Sequence, residues 1–184
     1  MAKNVLVVSG HPRLDDDSVA NKAIVKELAK LEGYTIDRLD ALYPDFNFDV
    51  EAEQAKLVAA DVIVLQYPVF WYGMPALMQK WMEDVFLHGF SHGSAGKALV
   101  GKKLAVSMTI GAPAEAYGEN AAVRIEDLLL PAKGACALTG MTFAGYEHTC
   151  GVSYASRVDD AAREAIAEAG REHAERMAKL VEGL

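Results

Sequence analysis

The chain has 184 residues, of which 52% are hydrophobic, and this length fits one domain, residues 1–184, with a core of ordinary size. Its formal net charge of −8 disfavours binding to nucleic acids and to anionic membrane surfaces, both of which need clustered Lys and Arg. No apolar run approaches the roughly 20 residues that cross a bilayer, and the start of the chain lacks a secretory signal pattern, so we expect a cytoplasmic protein.

The first half of the chain predicts strands and helices in alternation. In chain order these are a strand at residues 5–8, a helix capped by Ser18 that stops at Gly33, a strand at 34–39, a helix capped by Asp49, and a strand at 62–65. Leu31 belongs to the apolar face of the first helix, and Val58 belongs to that of the second. Continuous apolar runs such as 5–8 and 62–65 are typical of strands that are covered on both faces.

The second half continues the alternation. Its elements are a helix that begins at Pro75, a glycine-rich loop at 88–101, a strand at 104–110, a helical region at about 121–137, a strand at 141–146 and a final helix at 159–181. Pro131 predicts a break or kink in the fourth helical region. Five strands alternating with helices indicate a three-layer α/β/α fold with a parallel sheet of order 2-1-3-4-5.

The loops that leave strands one, three and four are predicted to meet in one crevice, where open α/β sheets bind ligands. After strand one, His11, Ser18, Asn21 and the first N–H groups of the helix are suited to a phosphate. The alternative is an ordinary capped helix with a surface histidine. The chain contains neither GxxxxGK[ST] nor GxGxxG, so a nucleoside triphosphate or a Rossmann dinucleotide site lacks support.

The loop after strand three, residues 66–75, holds three adjacent aromatic residues between two prolines. Phe70, Trp71 and Tyr72 cannot all point into one core, so at least one of them is expected to face the crevice or a partner. A loop with rigid ends and flat side chains suits a planar cofactor. The alternative for Trp71 is a core or interface aromatic.

The loop after strand four, residues 109–118, is rich in small residues, which let a ligand approach the backbone closely. Tyr117 in this loop is a candidate hydrogen-bond donor, although such small residues also form ordinary turns. Cys136 and Cys150 have a spacing that fits no metal or redox motif, so we expect reduced structural thiols and no metal site. A reactive thiol is the alternative reading.

Taken together, these features resemble the flavodoxin-like NAD(P)H:quinone oxidoreductases, which include ancillary proteins of glutathione-gated potassium-efflux systems. The segments that carry the resemblance are His11-Pro12, residues 18–21, 42–49 and 66–75, and the loop after strand four. The resemblance covers nearly the whole chain. It implies a flavodoxin-like fold and an enzyme that transfers a hydride from NAD(P)H through a flavin to a quinone or a similar electrophilic acceptor, by a two-electron ping-pong mechanism.

The flavin implied by this resemblance is FMN, with FAD as the alternative. The implied contacts are His11, Ser18, Val19, Ala20 and Asn21 at the phosphate, Pro68, Val69, Phe70, Trp71 and Tyr72 beside the ring, and Thr109, Ile110, Gly111 and Ala112 at its pyrimidine end. Two segments depart from the family. Relatives commonly have Thr-Thr-Gly-Gly at 109–112, and the larger animal enzymes pair a tyrosine with a histidine where this chain has Val123. Tyr117 therefore remains as a catalytic candidate without that partner.

The resemblance also implies a homodimer, and residues 43–48 are the predicted contact. As an alternative function, the chain is a regulatory subunit bound to a potassium-efflux membrane protein, and thus peripheral to the inner membrane. A one-electron flavodoxin carrier is a third reading, disfavoured by the aromatic loop. The sequence leaves open FMN or FAD, NADH or NADPH, the physiological acceptor, and which of the three aromatic residues faces the substrate.

Overall fold

The structure is a computed structural model that describes residues 3–184. Met1 and Ala2 lie outside the described residues. They belong to the start of the chain, for which no secretory signal pattern was predicted. The strands and helices are, in chain order, β1 (Val5–Ser9), α1 (Leu14–Asp17), α2 (Ala20–Leu28), β2 (Tyr34–Arg38), α3 (Leu39–Leu42), α4 (Val50–Ala59), β3 (Val62–Pro68), α5 (Ala76–Val85), β4 (Lys103–Thr109), α6 (Leu130–Thr139), β5 (Thr142–Thr149) and α7 (Asp160–Glu182).

The five strands form one parallel sheet in the order β2-β1-β3-β4-β5, which confirms the predicted flavodoxin-like topology. The register brings the ends of the three central strands together. Ser9 at the end of β1 lies beside Gln66 of β3, and Pro68 at the end of β3 lies beside Thr109 of β4. The loops that follow these strands therefore start from neighbouring positions on one edge of the sheet.

Alternate residues of each strand face opposite layers. Val5 and Val7 pack with the apolar residues of α2 and α7, whereas Leu6 and Val8 pack with those of α4, α5 and α6. Helices α2 and α7 approach closely at Gly170, where an added Cβ would lie 2.7 Å from the carbonyl oxygen of Ala20. Both faces of the sheet are thereby covered, as the apolar strands predict.

Two helices differ from the sequence prediction. Helix α2 ends at Leu28 rather than at Gly33, and Leu31, predicted on its apolar face, lies after it and is 38% exposed. In α4, Asp49 caps the helix as predicted, because its carboxylate accepts a 3.0 Å hydrogen bond from the N–H of Ala52. Val58 is 51% exposed, so its assignment to the buried face was wrong.

Glu53 takes a buried position of α4 because several donors satisfy its carboxylate. Trp81 Nε1 donates to it at 2.8 Å, the hydroxyl of Tyr43 donates at 2.7 Å, and the ammonium of Lys56 contacts it. Lys56 also contacts Asp37 Oδ1 at 2.6 Å. A buried charge is tolerated when it is paired and hydrogen-bonded, and Glu53 meets that condition. Asp37 meets it only in part, because its Oδ2 has no hydrogen-bond partner among residues 3–184 and burial raises its pKa to about 7.

The second half follows the prediction, with a longer last strand. The helical region containing Pro131 forms two pieces, a 3₁₀ turn at Ile125–Leu129 and helix α6, and Pro131 lies in the first turn of α6 where its missing N–H is tolerated. Strand β5 continues to Thr149, three residues beyond its predicted end, and Gly145 occupies an irregularity in its pairing with a φ of 130°. The short helices α1 and α3 were not predicted.

The two cysteines do not form a disulfide. Burial raises the pKa of Cys136 to about 11, and burial also raises the pKa of Cys150, so both stay protonated thiols near neutral pH. None of the helices within residues 3–184 combines the length and apolarity that crossing a bilayer requires.

Candidate functional site

A cavity of about 250 Å³ lies at the carboxyl edge of the sheet, where the loops after β1, β3 and β4 meet. The loop after β5 closes its remaining side. The lining residues are His11, Asp17, Asn21, Pro68, Val69, Phe70, Thr109, Gly111, Val152, Ser153, Tyr154 and Arg157. The predicted convergence of three loops is thus observed, and a fourth loop joins them.

A buried polar network joins the loops beneath this cavity. The side-chain oxygen of Asn21 accepts hydrogen bonds from Gln66 Nε2 at 2.6 Å and from Thr109 Oγ1 at 3.0 Å. Gln66 in turn accepts from the hydroxyl of Ser9 at 3.2 Å. Since these side chains come from β1, α2, β3 and β4, the network holds the floor of the cavity in one arrangement.

Ser18 supports the same network from the start of α2. Its hydroxyl accepts hydrogen bonds from the backbone N–H of Asn21 at 3.2 Å and from the Asn21 side-chain amide at 3.1 Å. Ser18 and Ala20 are buried, and with Val19 they do not line the cavity. What this segment can offer a ligand is its backbone, because the first N–H groups of a helix have no acceptor within the helix.

His11 lines the cavity as a neutral imidazole. Its Nδ1 accepts a 3.1 Å hydrogen bond from the backbone N–H of Arg13, and burial lowers its pKa to about 4. The proton of the neutral ring therefore resides on Nε2, which makes that atom a donor. The ring lies edge-on to Phe70, with 6.2 Å between their centroids.

The aromatic segment after β3 forms a strained tight turn. Phe70 and Gly73 exchange two backbone hydrogen bonds of 3.0 Å, and the two residues between them have positive φ, 49° at Trp71 and 63° at Tyr72. This is the geometry of a type I′ turn, in which Asn and Gly are normally found. Bulky side chains at such φ values cost on the order of 1–3 kcal/mol each, and such strain is concentrated at functional sites.

The three rings of this turn point in different directions. Phe70 lines the cavity, Tyr72 lies edge-on to Tyr117 with centroids 6.4 Å apart, and Trp71 is 97% exposed. Trp71 is therefore not a core residue within this chain. The N–H of Val69 donates a 2.8 Å hydrogen bond to the carbonyl of Thr109, which joins the start of the turn to the loop after β4.

The loop after β4 brings some of its predicted residues to the cavity. Thr109 and Gly111 line it, whereas Ile110 is buried and Ala112 accepts a backbone hydrogen bond from Gly151. Tyr117 ends a 3₁₀ turn outside the cavity, and burial raises the pKa of its hydroxyl, which therefore stays protonated at neutral pH.

Of the predicted site residues, about half line the cavity: His11, Asn21, Pro68, Val69, Phe70, Thr109 and Gly111. The others surround it without lining it: Ser18, Val19, Ala20, Trp71, Tyr72, Ile110, Ala112 and Tyr117.

The sequence analysis missed the contribution of the loop after β5, which includes Ser153, Tyr154 and Arg157. The signal that was available is the position of this loop, since it leaves the same edge of a parallel sheet as the other three. Ending the fifth strand at Tyr146 hid that signal. The structure extends the strand to Thr149 and so delivers the following residues to the cavity.

Three larger cavities, of about 290, 390 and 460 Å³, open elsewhere and are lined by residues such as Asn4, Tyr34 and Lys103. They lie at the amino ends of the strands, opposite the edge at which open α/β sheets bind ligands. Within the described chain, residues 3–184, no cluster of three or more His, Cys, Asp or Glu side chains is arranged to hold a metal ion. The cavity at the carboxyl edge is therefore the candidate site.

The profile of the Flavodoxin-like fold family matches residues 3–174. General stress protein 14 of Bacillus subtilis is 38% identical over 157 residues, which cover 84% of this chain and 89% of the relative. The glutathione-regulated potassium-efflux system ancillary protein KefF of Klebsiella pneumoniae is 44% identical over 107 residues, which cover 58% of this chain and 60% of the relative.

Solved structures share the fold over most of the chain. General stress protein 14 of Treponema denticola, in complex with FMN, is 26% identical with a TM-score of 0.84, covering 96% of this chain and 99% of that one. An NADPH-quinone reductase from P. pentosaceus is 25% identical with a TM-score of 0.75, covering 93% and 97%. A structure described as a thermophilic tryptophan halogenase from Streptomycin violaceusniger is 34% identical with a TM-score of 0.80, covering 91% and 96%. The activities named for these structures differ, so the reaction has to be argued from the site.

Proposed function

The chain belongs to the Flavodoxin-like fold family, and from this premise we propose that it is an FMN-dependent NAD(P)H:quinone oxidoreductase. The observation that carries the proposal is the strained aromatic turn at residues 70–73, fixed at the rim of a cavity whose floor is a fully paired polar network. Similarity to an FMN-bound relative and to an NADPH-quinone reductase supports the choice of cofactor and reaction.

The residues present fit an elongated, flat cofactor with an anionic end. At about 250 Å³ the cavity is smaller than the roughly 300–1,000 Å³ typical of small-ligand sites, so it suits one end of such a molecule. His11 Nε2–H and the start of α2 offer donors at that end. Phe70 and its neighbours in the turn offer flat apolar surface for the ring.

When bound, the flavin supplies the redox chemistry, which is acceptance of a hydride from NAD(P)H and delivery of two electrons to a quinone. The chain's own part is to bind and orient the cofactor. Peptide groups of Val69 to Tyr72, held by the strained turn, and of Thr109 to Ala112 flank the ring in this proposal. The protonated hydroxyl of Tyr117 lies next to Tyr72 and is proposed to donate a hydrogen bond to the substrate.

The purified protein tests this proposal directly. We expect a yellow protein that retains FMN and oxidises NADPH or NADH with a soluble quinone. Double-reciprocal plots of the initial rate against one substrate, at several concentrations of the other, should give parallel lines, as a ping-pong mechanism requires. Omitting the quinone gives the background rate. Colourless protein that cannot be reconstituted with FMN or FAD would contradict the proposal.

We also propose that the protein forms a homodimer through residues 43–48. Phe46 in this segment is exposed at a positive φ of 62°, and Leu42 beside it is exposed, whereas Phe48 is buried under the segment. Exposed apolar side chains on a rigid turn suit a partner surface. Sedimentation of Phe46→Ser, compared with wild type, tests this assembly. A wild-type protein that sediments as a monomer at micromolar concentration would rule it out.

A second candidate function is regulation of a potassium-efflux membrane protein. The observation that favours it is the 44% identity to KefF over 107 residues. In this proposal the chain binds such a transporter in addition to its redox activity. Co-purification with the transporter, retained in a variant that no longer binds flavin, would support it. Absence of a complex between the purified transporter and the flavin-loaded protein would eliminate it.

A further inference from the structure

We propose that Arg157, on the loop after β5, binds a phosphate monoester at the inner end of the cavity, and that this group is the phosphate of FMN. The inference rests on the proposed function, because it takes the ligand to be a flavin. It adds a cationic residue from the loop after β5, which was not predicted to reach the site.

The guanidinium of Arg157 lies in the lining of the cavity and is largely unpaired. The side chain is 12% exposed, and its Nη1 donates a 2.7 Å hydrogen bond to the carbonyl oxygen of Asp17. Its Nε is buried without a hydrogen-bond partner among residues 3–184. A buried donor on a charged group is unfavourable unless something accepts from it, so this arrangement is suited to a ligand with acceptor oxygens.

The charges around Arg157 favour an anion. Asp17 is the acidic residue nearest to it, with 3.9 Å between Asp17 Oδ1 and Arg157 Nη1, and the same carboxylate accepts a 2.8 Å ion-pair contact from Arg13. One carboxylate is therefore shared between two guanidinium groups. His11 contributes no charge, because burial lowers its pKa to about 4. Around Arg157, two guanidinium groups therefore face one carboxylate.

The other acidic residues near this end are neutralised or exposed. Asp15 and Asp40 both form ion pairs with Arg38, and Asp15 also pairs with Lys22. Asp16 is exposed. Of the aspartates at 15–17, only Asp17 lines the cavity, and its carboxylate is paired with Arg13 and Arg157.

The loop holds the guanidinium in a fixed orientation. The ring of Tyr154 stacks on it, with 5.1 Å between the ring centroid and Arg157 Cζ, and the hydroxyl of Ser153 caps the short turn between them by accepting from the N–H of Ser156. With one face on Tyr154 and Nη1 donating to the Asp17 carbonyl, the guanidinium keeps the edge that carries the unpaired Nε for hydrogen bonds to phosphate oxygens. Asp17 also brings Arg157 next to the start of α2, where the first N–H groups of a helix are suited to an anion.

Two ligands of the proposed reaction can carry such a phosphate, FMN and NADPH. The cavity argues for FMN, because Asn21 and the start of α2 form its closed floor, whereas the exposed turn at its rim is the side open to a dissociating substrate. The comparison of FMN with riboflavin, which has the same ring but no phosphate, isolates the contribution of the phosphate. The comparison of NADPH with NADH isolates the alternative source.

The experiment measures the dissociation constants of FMN and riboflavin for the flavin-free protein by fluorescence quenching. The variants are Arg157→Gln, Arg157→Lys and the control Arg163→Gln, whose side chain is exposed on α7. We expect wild type to prefer FMN, and we expect Arg157→Gln to weaken FMN binding at least about tenfold while riboflavin binding stays unchanged. Arg157→Lys is expected to keep part of the preference for FMN over riboflavin, and the control Arg163→Gln is expected to keep all of it.

Several outcomes overturn the inference. Equal weakening of FMN and riboflavin binding in Arg157→Gln would show a purely structural role, and an unchanged preference for FMN would show no role. A higher KM for NADPH but not for NADH, with FMN affinity intact, would assign the phosphate to the nicotinamide cofactor instead. In these cases a wild-type protein that binds FMN and reduces quinones leaves the proposed function standing. A wild-type protein that binds no flavin contradicts both.

Discussion

The side-chain amide of Gln66 donates a 2.6 Å hydrogen bond to the side-chain oxygen of Asn21. The hydroxyl of Thr109 donates to the same oxygen at 3.0 Å. The three residues lie in β3, in α2 and at the end of β4, so a single buried acceptor joins three of the loops that form the cavity. The geometry of the candidate site therefore depends on one side chain at the start of α2.

Replacing this side chain should affect both the fold and the site. We expect Asn21→Ala to lower the free energy of unfolding by roughly 2–3 kcal/mol, because the buried donors of Gln66 and Thr109 lose their acceptor. We also expect weaker FMN binding. Urea unfolding and flavin titration measure the two effects. Asn120→Ala, at an exposed position, is the control. An Asn21→Ala protein with wild-type stability would contradict the structural role of the network.

Trp71 is predicted to act on the ligand rather than on the fold. Because its side chain is 97% exposed, Trp71→Ala removes almost no buried apolar surface, and the free energy of unfolding should change by less than about 0.5 kcal/mol. Flavin retention during gel filtration should decrease. Full flavin occupancy with unchanged quinone reduction would instead assign Trp71 to a role outside the site.

Relieving the strain of the aromatic turn should raise the stability of the protein and lower its activity. Replacing Trp71 and Tyr72 together by Asn and Gly supplies the residues that a type I′ turn prefers, so the free energy of unfolding should rise by about 1–2 kcal/mol. Flavin affinity and quinone reduction should fall, because the flat side chains are lost. Thermal and urea unfolding of the double variant, compared with Trp71→Ala, separate relief of strain from loss of the rings. Unchanged stability would mean that the turn is not strained.

Glu53 is predicted to be essential for the fold although it is an acidic residue on a helix. Glu53→Ala removes the acceptor of Trp81 Nε1–H and of the Tyr43 hydroxyl, while Lys56 keeps Asp37 as an ion-pair partner, so the free energy of unfolding should fall by roughly 2–3 kcal/mol. Glu51→Ala is the matched control. Glu51 lies two residues before Glu53 and is exposed, so its replacement should have little effect on the free energy of unfolding. Urea unfolding followed by tryptophan fluorescence tests both. Equal stabilities of the two variants would contradict the role of the cluster.

His173 should make stability depend on pH. It is buried between Ser107 and Thr149, whose hydroxyls contact its Nε2 at 2.8 Å and its Nδ1 at 2.9 Å, and burial lowers its pKa to about 3. The unfolded chain protonates this group near its ordinary pKa of 6.5 while the folded chain does not, so its stabilising contribution is complete above that pH and decreases as the pH falls toward 3.

As the pH falls from about 7 to about 5, this effect should lower the free energy of unfolding of the wild-type protein by roughly 2 kcal/mol. His173→Gln should have a smaller loss over the same interval, whatever its absolute stability. His11 contributes with the same sign and remains in the variant. His88→Gln, in an exposed loop, should keep the wild-type dependence. Urea unfolding at the two pH values measures the difference, and identical slopes for His173→Gln and wild type would contradict the prediction.

The sequence predicted that the helices exist, but it predicted their ends and their buried faces less accurately. The helix after Ser18 ends at Leu28 because the chain turns there toward β2, although Leu31 continues the apolar periodicity. In α4 the pattern favoured Val58, but the space beneath the helix is filled by Glu53, whose donors come from α5 and from the segment after α3. Periodicity counts apolar residues and does not register a buried carboxylate whose partners are distant in the chain.

The order of strands, the topology of the sheet and the three loops that carry most of the cavity could be predicted from the sequence, because apolar runs, capping residues and glycine or proline breaks are local properties of the chain. The contacts that those loops make with one another could not. The shared oxygen of Asn21, the positive φ values at Trp71 and Tyr72, and the position of Arg157 beside Asp17 depend on contacts between distant segments or on backbone strain that the rest of the fold maintains. Such features arise when neighbouring strands bring their ends to one edge, and no window of the sequence contains them.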